Sequence, residues 1–380
     1  SHEKFVAKFQ KGFDTATSYL AFKTNNLVAN WGSTKQVNDW FNNELKSCSE
    51  YERIKVGEWK TTPSGARSYG AEAIEDAFDR DIVPKSLTKV FRAFSVRQKR
   101  QKILSSFGTS LLNYITDGRI KGFFNIGRAK TSRMSSDHPN LQQFPNGAFR
   151  NLFHAAEGKK LIICDYSQVE VRVLAEEADE TVIKQAFKDG HDFHYATASA
   201  MFNVPISKVT KEQRRRAKAL TFGVMYGMGV TSIAAKLGCS KDEAQAYLDA
   251  WLNGYPKVSE WREKMFELGR TGQPILTAGG RQIAGTKELA PSQLINYPVQ
   301  SSAADVLYKA MARVWDMKAE GVKSLAVVHD ELILECDDFL AEDAKAMLEQ
   351  AMTEGFLDIY PNADTTELVD ASIATYWGEK

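Results

Sequence analysis

The first third of the chain carries apolar residues mostly at helical spacing. We expect helices with aromatic and aliphatic anchors across residues 1–60 and again across residues 71–115. The stretch 61–70 breaks this pattern, because Pro63 and Gly65 favour turns. The pattern therefore predicts a helical region with one turn-rich interruption.

Strand-like runs appear at two places that are far apart in the sequence. Residues 116–125 predict a turn followed by a hairpin strand. The apolar run 159–165 is too short for a stable helix and predicts a buried strand. Residues 167–287 and 296–320 have helical periodicity, whereas residues 324–335 hold two apolar runs around His-Asp-Glu and predict two antiparallel strands joined by a tight turn. Strands at both ends of a long helical insertion predict a sheet platform with an inserted helical subdomain.

The composition is that of an ordinary globular protein, with 43% hydrophobic and 26% charged residues. We expect no membrane span, because no apolar run reaches about 18 residues. The four cysteines are far apart and form no CxxC pair, so we expect no structural zinc site. This cysteine usage favours a reducing, intracellular location, with cytoplasm, nucleoid and organelle all compatible.

The charges are unevenly distributed, although the formal net charge is only +1. Residues 85–133 contain 12 Lys and Arg against 1 acidic residue, and residues 330–380 contain 14 acidic against 2 basic residues. A local basic block is typical of contact with nucleic-acid phosphates. A solvated charged surface would give the same pattern, so the block alone leaves both interpretations open.

Two aspartates stand where predicted strands end. Asp165 closes the run 159–165, and Asp330 lies at the turn of the 324–335 hairpin. Because rigid strand ends fix carboxylate geometry, two such acids on neighbouring strands would hold two Mg²⁺ ions about 4 Å apart. Glu331 supports this hypothesis, since adjacent acids repel unless a cation or basic group compensates. An aspartate at a strand end is also a common turn former, so spacing alone does not decide.

The stretch 212–227, EQRRRAKALTFGVMYG, combines cations and aromatic residues on one helical face. Arg214, Lys218, Phe222 and Tyr226 recur every fourth residue and cover an arc of about 120°. The cations suit phosphates and the aromatic rings suit a base or sugar, so the face fits a nucleoside triphosphate. The alternative is an ordinary amphipathic helix with its aromatic residues in the core. Glycines within and after this helix indicate a bend or a close approach.

Three segments resemble the catalytic motifs of the family A DNA polymerases, the bacterial DNA polymerase I type. DYSQVEVR at 165–172 is similar to motif A, RRRAKALTFGVMYG at 214–227 to motif B, and VHDE at 328–331 to motif C. Other matching segments, in the family's order, are TSRMSSDHPNLQQFP (131–145), DFHYATA (192–198) and NYPVQSSAAD (296–305).

The resemblance implies an α+β fold: a right-hand polymerase with an antiparallel-sheet palm, helical fingers and a helical thumb. GSTKQV at 32–37 and WKTTPSGARS at 59–68 resemble parts of the thumb. The implied division is a thumb with an N-terminal lead-in at 1–112, the first part of the palm at 113–170, fingers at 171–287 and the second part of the palm at 288–380.

The motifs imply catalytic roles for the acids and for one lysine. Asp165 and Asp330 would be ligands of two Mg²⁺ ions, with the backbone carbonyl of Tyr166 as a further ligand. Glu331 would support the second aspartate, and Lys218 would bind the triphosphate and protonate the pyrophosphate leaving group.

The remaining matched positions imply contacts with substrates. Glu170 would be a steric gate that excludes a ribose 2′-hydroxyl. The other implied dNTP-binding residues are Gln168, His194, Arg214, Phe222 and Tyr226. Contacts with primer–template DNA are implied for Arg133, Asn140, Gln142, Asn296, Gln300 and His329. Departures from the family pattern, which bear mostly on duplex binding, are Ser132, Thr221, Ser292, Ser301 and Ser302.

The resemblance implies a template-directed DNA polymerase that extends a primer with deoxynucleoside triphosphates and releases pyrophosphate. The region before the thumb motifs is short, so we expect no proofreading exonuclease in this chain; an upstream exonuclease or replication accessory proteins would be compatible partners. A related RNA polymerase would share the aspartates and the lysine-bearing helix, but Glu170 and motif B argue against it. A non-enzymatic DNA-binding protein would have no need of intact Asp165, Lys218 and Asp330.

Overall fold

The computed structural model describes residues 1–49, 52, 56–62, 64–190, 192–283 and 285–379. Pro63, part of the predicted turn-rich stretch, lies outside them. The chain divides into two compact units, Ser1–Lys121 and Gly122–Lys380. In the described part of the chain, no helix is long and apolar enough to cross a membrane.

The unit Ser1–Lys121 is a helical body with an aromatic core. Among its described residues lie the helices α1 (His2–Lys23), α2 (Thr34–Lys46), α3 (Ala71–Asp79) and α4 (Thr88–Phe107), followed by a 3₁₀ turn at Thr109–Tyr114. Phe41, fully buried on α2, stacks on Phe91 of α4 with ring centres 4.2 Å apart. The rings of Trp31 and Tyr69 also lie against Phe41, so the turn-rich stretch is anchored at the same core. The unit ends in a short hairpin of β1 (Ile115–Thr116) and β2 (Arg119–Ile120).

The unit Gly122–Lys380 is built on a four-stranded antiparallel sheet. Its strands are β5 (Lys159–Tyr166), β8 (Lys323–Val328), β9 (Glu331–Asp337) and β10 (Val369–Ala374), in the order β10-β5-β9-β8. A smaller ladder joins β3 (Phe123–Asn125) to β4 (Ser135–Asp137). Leu161, Ile162, Ile163 and Cys164 of β5 are all buried, so both faces of this inner strand are covered, since successive side chains point to opposite faces.

Helices fill the sequence between β5 and β8. They are α5 (Val169–Glu177), α6 (Thr181–Lys188), α7 (Phe193–Phe202), α8 (Lys211–Met225), α9 (Val230–Leu237), α10 (Lys241–Gly254), α11 (Pro256–Thr271) and α12 (Pro291–Met317). A short hairpin, β6 (Ile275–Leu276) with β7 (Gln282–Ile283), interrupts them. The last helix, α13 (Ala341–Leu357), packs against α12, β5 and β10.

The sequence predicted the elements better than their ends. The α+β class, the buried strand at 159–165 and the hairpin at 324–335 are confirmed. The helix predicted at 296–320 begins earlier, at Pro291, where a proline at the first position suits a helix start, and ends at Met317. The segment between β3 and β5 contains β4 and two 3₁₀ turns, at Leu141–Gln143 and Gly147–Leu152.

Candidate active site

The two predicted metal-binding aspartates lie at the same end of one strand pair. In the ladder between β5 and β9, Asp165 is directly opposite Glu331. The next residue, Tyr166, donates its backbone N–H to the carbonyl of Asp330 over 3.4 Å. His329 and Asp330 form the turn between β8 and β9, with His329 in the left-handed region at φ +59°. Sheet register therefore brings together the three acids that the sequence singled out, although about 165 residues separate them along the chain.

The electrostatics at this strand end favour a cation. Burial raises the pKa of Asp330 above its usual value, and the carboxylates of Glu170 and Glu331 raise it further, against the opposing influence of Arg133. In the described residues, no group of three or more His, Cys, Asp or Glu side chains is arranged to hold a metal by itself. Two carboxylates and a backbone carbonyl nevertheless suit Mg²⁺, which usually completes its octahedron with water and substrate phosphates.

Glu331 is fixed by two residues that the sequence analysis missed. Its carboxylate accepts a 2.8 Å hydrogen bond from the indole N–H of Trp377 and lies 3.4 Å from a guanidinium nitrogen of Arg150. The Arg150 guanidinium lies over the Trp377 ring, 4.2 Å from its centre. Glu331 thus has a hydrogen-bond donor and a counter-ion within the fold.

Glu170, the predicted steric gate, is buried at the start of α5 and held from two sides. It forms an ion pair with Arg133 and accepts a 3.0 Å hydrogen bond from the hydroxyl of Tyr226. Burial and the Glu170 carboxylate raise the pKa of Tyr226 to about 12. This contact connects the end of the motif B helix to the helix that directly follows Asp165.

The predicted stripe forms one face of α8 and the residue that caps it. A capping box between Thr210 and Gln213 starts the helix, which ends at Met225, so Tyr226 is the cap rather than part of the helix. Phe222 and Tyr226 stack with ring centres 5.9 Å apart, and the Lys218 ammonium lies 5.9 Å from the Phe222 ring. The face predicted from spacing is therefore present.

Gly227, directly after the cap of α8, occupies a position where only glycine fits. Its φ is +62°, and a Cβ atom there would lie 2.5 Å from the Cα of Ser292. Both the left-handed backbone and the close approach of α12 require glycine. The sequence predicted a close approach near these glycines, and at Gly227 the approaching group is the backbone of α12.

Arg214 and His194, both predicted to bind the triphosphate, differ in how accessible their side chains are. Arg214 is half-buried and pairs with Asp192 at 2.5 Å, and Asp192 also caps α7. His194 is 1% exposed, and neither of its ring nitrogens has a hydrogen-bond partner among the described residues. Its pKa is lowered to about 4, mainly by burial, with Lys218 and Arg214 also lowering it and Asp192 opposing them. The imidazole is therefore neutral and closed off in this conformation.

The residues predicted to contact DNA are distributed over several elements. Asn140 caps a 3₁₀ turn through the backbone N–H of Gln142. Asn296 and Gln300 are half-buried and one helical turn apart on α12. His329 is exposed at the turn before Asp330; partial burial of the ring and the nearby Arg133 and Arg150 lower its pKa.

Gln168, predicted to bind the dNTP, has a buried side-chain oxygen. It caps α5 with a left-handed backbone, φ +53°, and its side-chain oxygen is buried without a hydrogen-bond partner in the described part of the chain. An acceptor in this state lacks compensation for its lost hydration.

Serine and threonine departures from the family pattern have visible roles. Ser132 has φ +53°, a backbone that glycine adopts at lower cost, and its carbonyl accepts a hydrogen bond from Tyr308. The Thr221 hydroxyl accepts from the buried indole of Trp251. Ser302 donates to the Glu177 carboxylate over 2.7 Å. These contacts are internal to the fold.

Comparison with known proteins decides the family. The model of DNA polymerase family A matches residues 3–379. The chain belongs to DNA polymerase family A. Relatives in this family include the thermostable DNA polymerase I of Thermus filiformis, 36% identical over 83% of this chain and 40% of its own length. DNA polymerase I of Pseudomonas aeruginosa is 30% identical over 99% of this chain and 40% of its own length.

The fold of this family A chain matches that of a solved polymerase domain. The POL domain of Pol1 from M. smegmatis, in complex with a DNA primer–template and dNTP, has a TM-score of 0.84 and 26% sequence identity, and the match covers 99% of this chain and 66% of that chain. The chain thus spans about two fifths of the length of the curated relatives it matches.

Proposed function

We propose that this chain is a DNA-directed DNA polymerase module that adds deoxynucleoside triphosphates to a primer 3′ end and releases pyrophosphate. The observation that carries the proposal is the placement of Asp165 and Asp330 at one end of the β5–β9 pair, next to a cation-bearing helix. The names of the relatives and of the solved POL domain support the same activity.

Asp165, Asp330 and the carbonyl of Tyr166 are the proposed ligands of two Mg²⁺ ions. When bound, the ions lower the pKa of the primer 3′-hydroxyl and neutralise charge on the transferring phosphates. The protein's own contribution is then mainly positioning and charge. Glu331 is proposed to support Asp330, the second carboxylate.

The exposed Lys218 is the proposed contact for the triphosphate and the donor of a proton to the leaving pyrophosphate. It forms no ion pair with the other described residues, so its charge is available to a ligand. Arg214 is the second proposed phosphate ligand and would exchange its bond to Asp192 for one to the triphosphate. Phe222 and Tyr226 offer stacked rings for the sugar and the templating base.

The ion pair with Arg133 and the hydroxyl of Tyr226 keep Glu170 in place as the proposed gate against a 2′-hydroxyl. Arg133, Asn140, Gln142, Asn296, Gln300 and His329 are proposed to contact the primer–template. His194 is proposed to join the triphosphate site only after a change that exposes its ring.

The thumb, palm and fingers ranges inferred from the motifs remain proposals. The division of the chain at Lys121 lies close to the proposed end of the thumb at residue 112. In the basic block, Arg92, Arg97 and Arg100 lie over aromatic rings of their own unit, and Lys99 pairs with Glu75. Other cations of the block, such as Lys89 and Lys102, are exposed. We propose that they contact DNA phosphates, which would give affinity without sequence preference.

Primer extension is the direct test. The purified chain, a primed DNA template and Mg²⁺ are incubated with each nucleotide class in turn. We expect template-directed extension with deoxynucleotides and little with ribonucleotides. Extension with ribonucleotides alone would favour the RNA polymerase alternative, and no extension by a folded, DNA-binding sample would favour a binding protein.

A further inference from the structure

The last described turn of the chain lies against the proposed catalytic strand end. Residues Trp377–Glu379 form a 3₁₀ turn after β10. The indole N–H of Trp377 reaches Glu331, which is 8% exposed, directly follows Asp330 and lies opposite Asp165 in the ladder. A small movement of Glu331 would therefore be passed to both proposed metal ligands.

Backbone contacts hold this terminal segment firmly in position. Trp377 donates its N–H to the carbonyl of Phe153 over 2.9 Å, and Ala155 donates to the carbonyl of Thr375 over 2.9 Å. The Trp377 ring also packs against Phe153 and Phe144, with ring centres 5.8 and 6.2 Å apart. The indole is thus fixed from behind and aimed at the carboxylate.

The indole carries out two tasks at once. Its edge donates a hydrogen bond to Glu331, and its face supports the Arg150 guanidinium, which lies 3.4 Å from the same carboxylate. Loss of either partner would remove a contact that orients this buried carboxylate. Phenylalanine at 377 would keep the face and lose the donor.

We propose that Trp377 is a positioning residue for catalysis: its indole N–H orients Glu331 and, through it, the strand ends that carry Asp330 and Asp165. This inference rests on the proposed function of these acids. It assigns the C-terminal turn a part in the polymerase reaction beyond sealing the core.

Trp377→Phe is the first test, with Trp59→Phe as its matched control. Trp59 is also buried and donates its indole N–H over 2.8 Å, but to the Ser68 carbonyl in the other unit. We expect Trp377→Phe to lower kcat about tenfold, as the loss of a hydrogen bond to a charged group predicts, and to leave KM for dNTP and the Kd for DNA within about twofold. Trp59→Phe is expected to keep the wild-type kcat.

A double-mutant comparison isolates the route through Glu331. In a Glu331→Gln background, Trp377→Phe should cause little further loss of kcat, because the group it orients is already changed. A full additional tenfold loss in that background, or an unchanged kcat for Trp377→Phe alone, would overturn the proposal. If the wild-type chain extends primers and Trp377→Phe does so equally well, only this inference fails; if the wild type does not extend, the proposed function fails first.

A measurement on the wild type avoids dependence on the folding of any variant. The indole N–H signals are followed by NMR with ¹⁵N-tryptophan in the complex with a dideoxy-terminated primer–template and dNTP. Adding Mg²⁺ should shift the Trp377 indole signal, since its acceptor lies beside the proposed metal ligands, and should leave the Trp59 signal unchanged. A Trp377 signal that does not respond to Mg²⁺ would contradict the proposal.

Discussion

Charged side chains are held differently in two regions of the molecule. One region is the strand end of β5 and β9, and the other is the face of α8 that carries Lys218. At the strand end, Glu331 is buried and bonded to Arg150 and Trp377, so its position is set by the fold. On α8, Lys218 is exposed on a flexible stem. The rigid site carries negative charge and the adaptable one carries positive charge.

This contrast fits what phosphoryl transfer requires. Metal ions act well only when their ligands are held in fixed geometry, because the ions must meet both reacting oxygens. Cations that receive a triphosphate must instead admit the ligand and then close on it. The Glu170–Tyr226 hydrogen bond connects the end of α8 to α5, the helix that follows the strand end.

Asp330→Ala should have the largest effect, because it removes a ligand from the rigid region. We expect primer extension to fall by about a thousandfold or more, since metal ions supply several kcal/mol of transition-state stabilisation. DNA affinity, measured by fluorescence anisotropy, should change little. Asp337→Asn, at the other end of β9 where Asp337 pairs with Lys159, is the control; a similar loss there would indicate a general defect of the sheet.

Lys218→Ala should be second, because it removes the proposed proton donor and phosphate ligand from the adaptable region. Single-turnover rates are expected to fall by about a hundredfold to a thousandfold. Arg215→Ala lies on the same helix but pairs with Glu212 and should stay near wild type. Equal effects of the two changes would refute a special role for the α8 face.

His194 makes the stability of the helical region depend on pH. Unfolded, its pKa is near 6.5; folded, burial holds it near 4, so the unfolded state takes up a proton first as the pH falls. The contribution of neutral His194 to the free energy of unfolding is therefore fully present above pH 6.5. It decreases by up to about 3 kcal/mol as the pH falls from 6.5 to 4. Denaturant titrations of wild type and His194→Phe should diverge in this window, with exposed His154→Phe as control. Parallel curves would show that His194 is not held neutral.

Glu170→Ala should have the smallest effect, on selectivity rather than rate. It opens space at the junction of the two regions, and discrimination against ribonucleotides should fall by about tenfold to a hundredfold. The measurement is the ratio of kcat/KM for a deoxynucleotide and its ribonucleotide. Glu176→Ala, on the same helix and paired with Lys184 at 2.9 Å, is the control. An unchanged ratio would remove the gate assignment.

Local pattern predicted much of the fold and part of the site. Strand ends at Asp165 and Asp330 follow from short apolar runs, and the α8 face follows from four-residue spacing, because both depend on neighbours in sequence. The sheet platform with an inserted helical subdomain follows from where these runs fall. These are the features that secondary-structure periodicity alone determines.

The features that the sequence did not predict depend mostly on contacts between residues far apart in the chain. Trp377 and Arg150 meet Glu331 from 46 and 181 residues away, and no local spacing encodes that contact. The burial of His194 depends on the packing of α7 against α8. The left-handed backbone of Ser132 was also hidden, since a serine gives no signal of positive φ.

The proposed function depends on Asp165 and Asp330 holding divalent cations jointly. A crystal structure of the chain with a dideoxy-terminated primer–template, dNTP and Mn²⁺, examined for anomalous scattering, tests it most directly. We expect two Mn²⁺ peaks about 4 Å apart, next to these two carboxylates and the dNTP phosphates. A bound dNTP with no Mn²⁺ between Asp165 and Asp330 would contradict it.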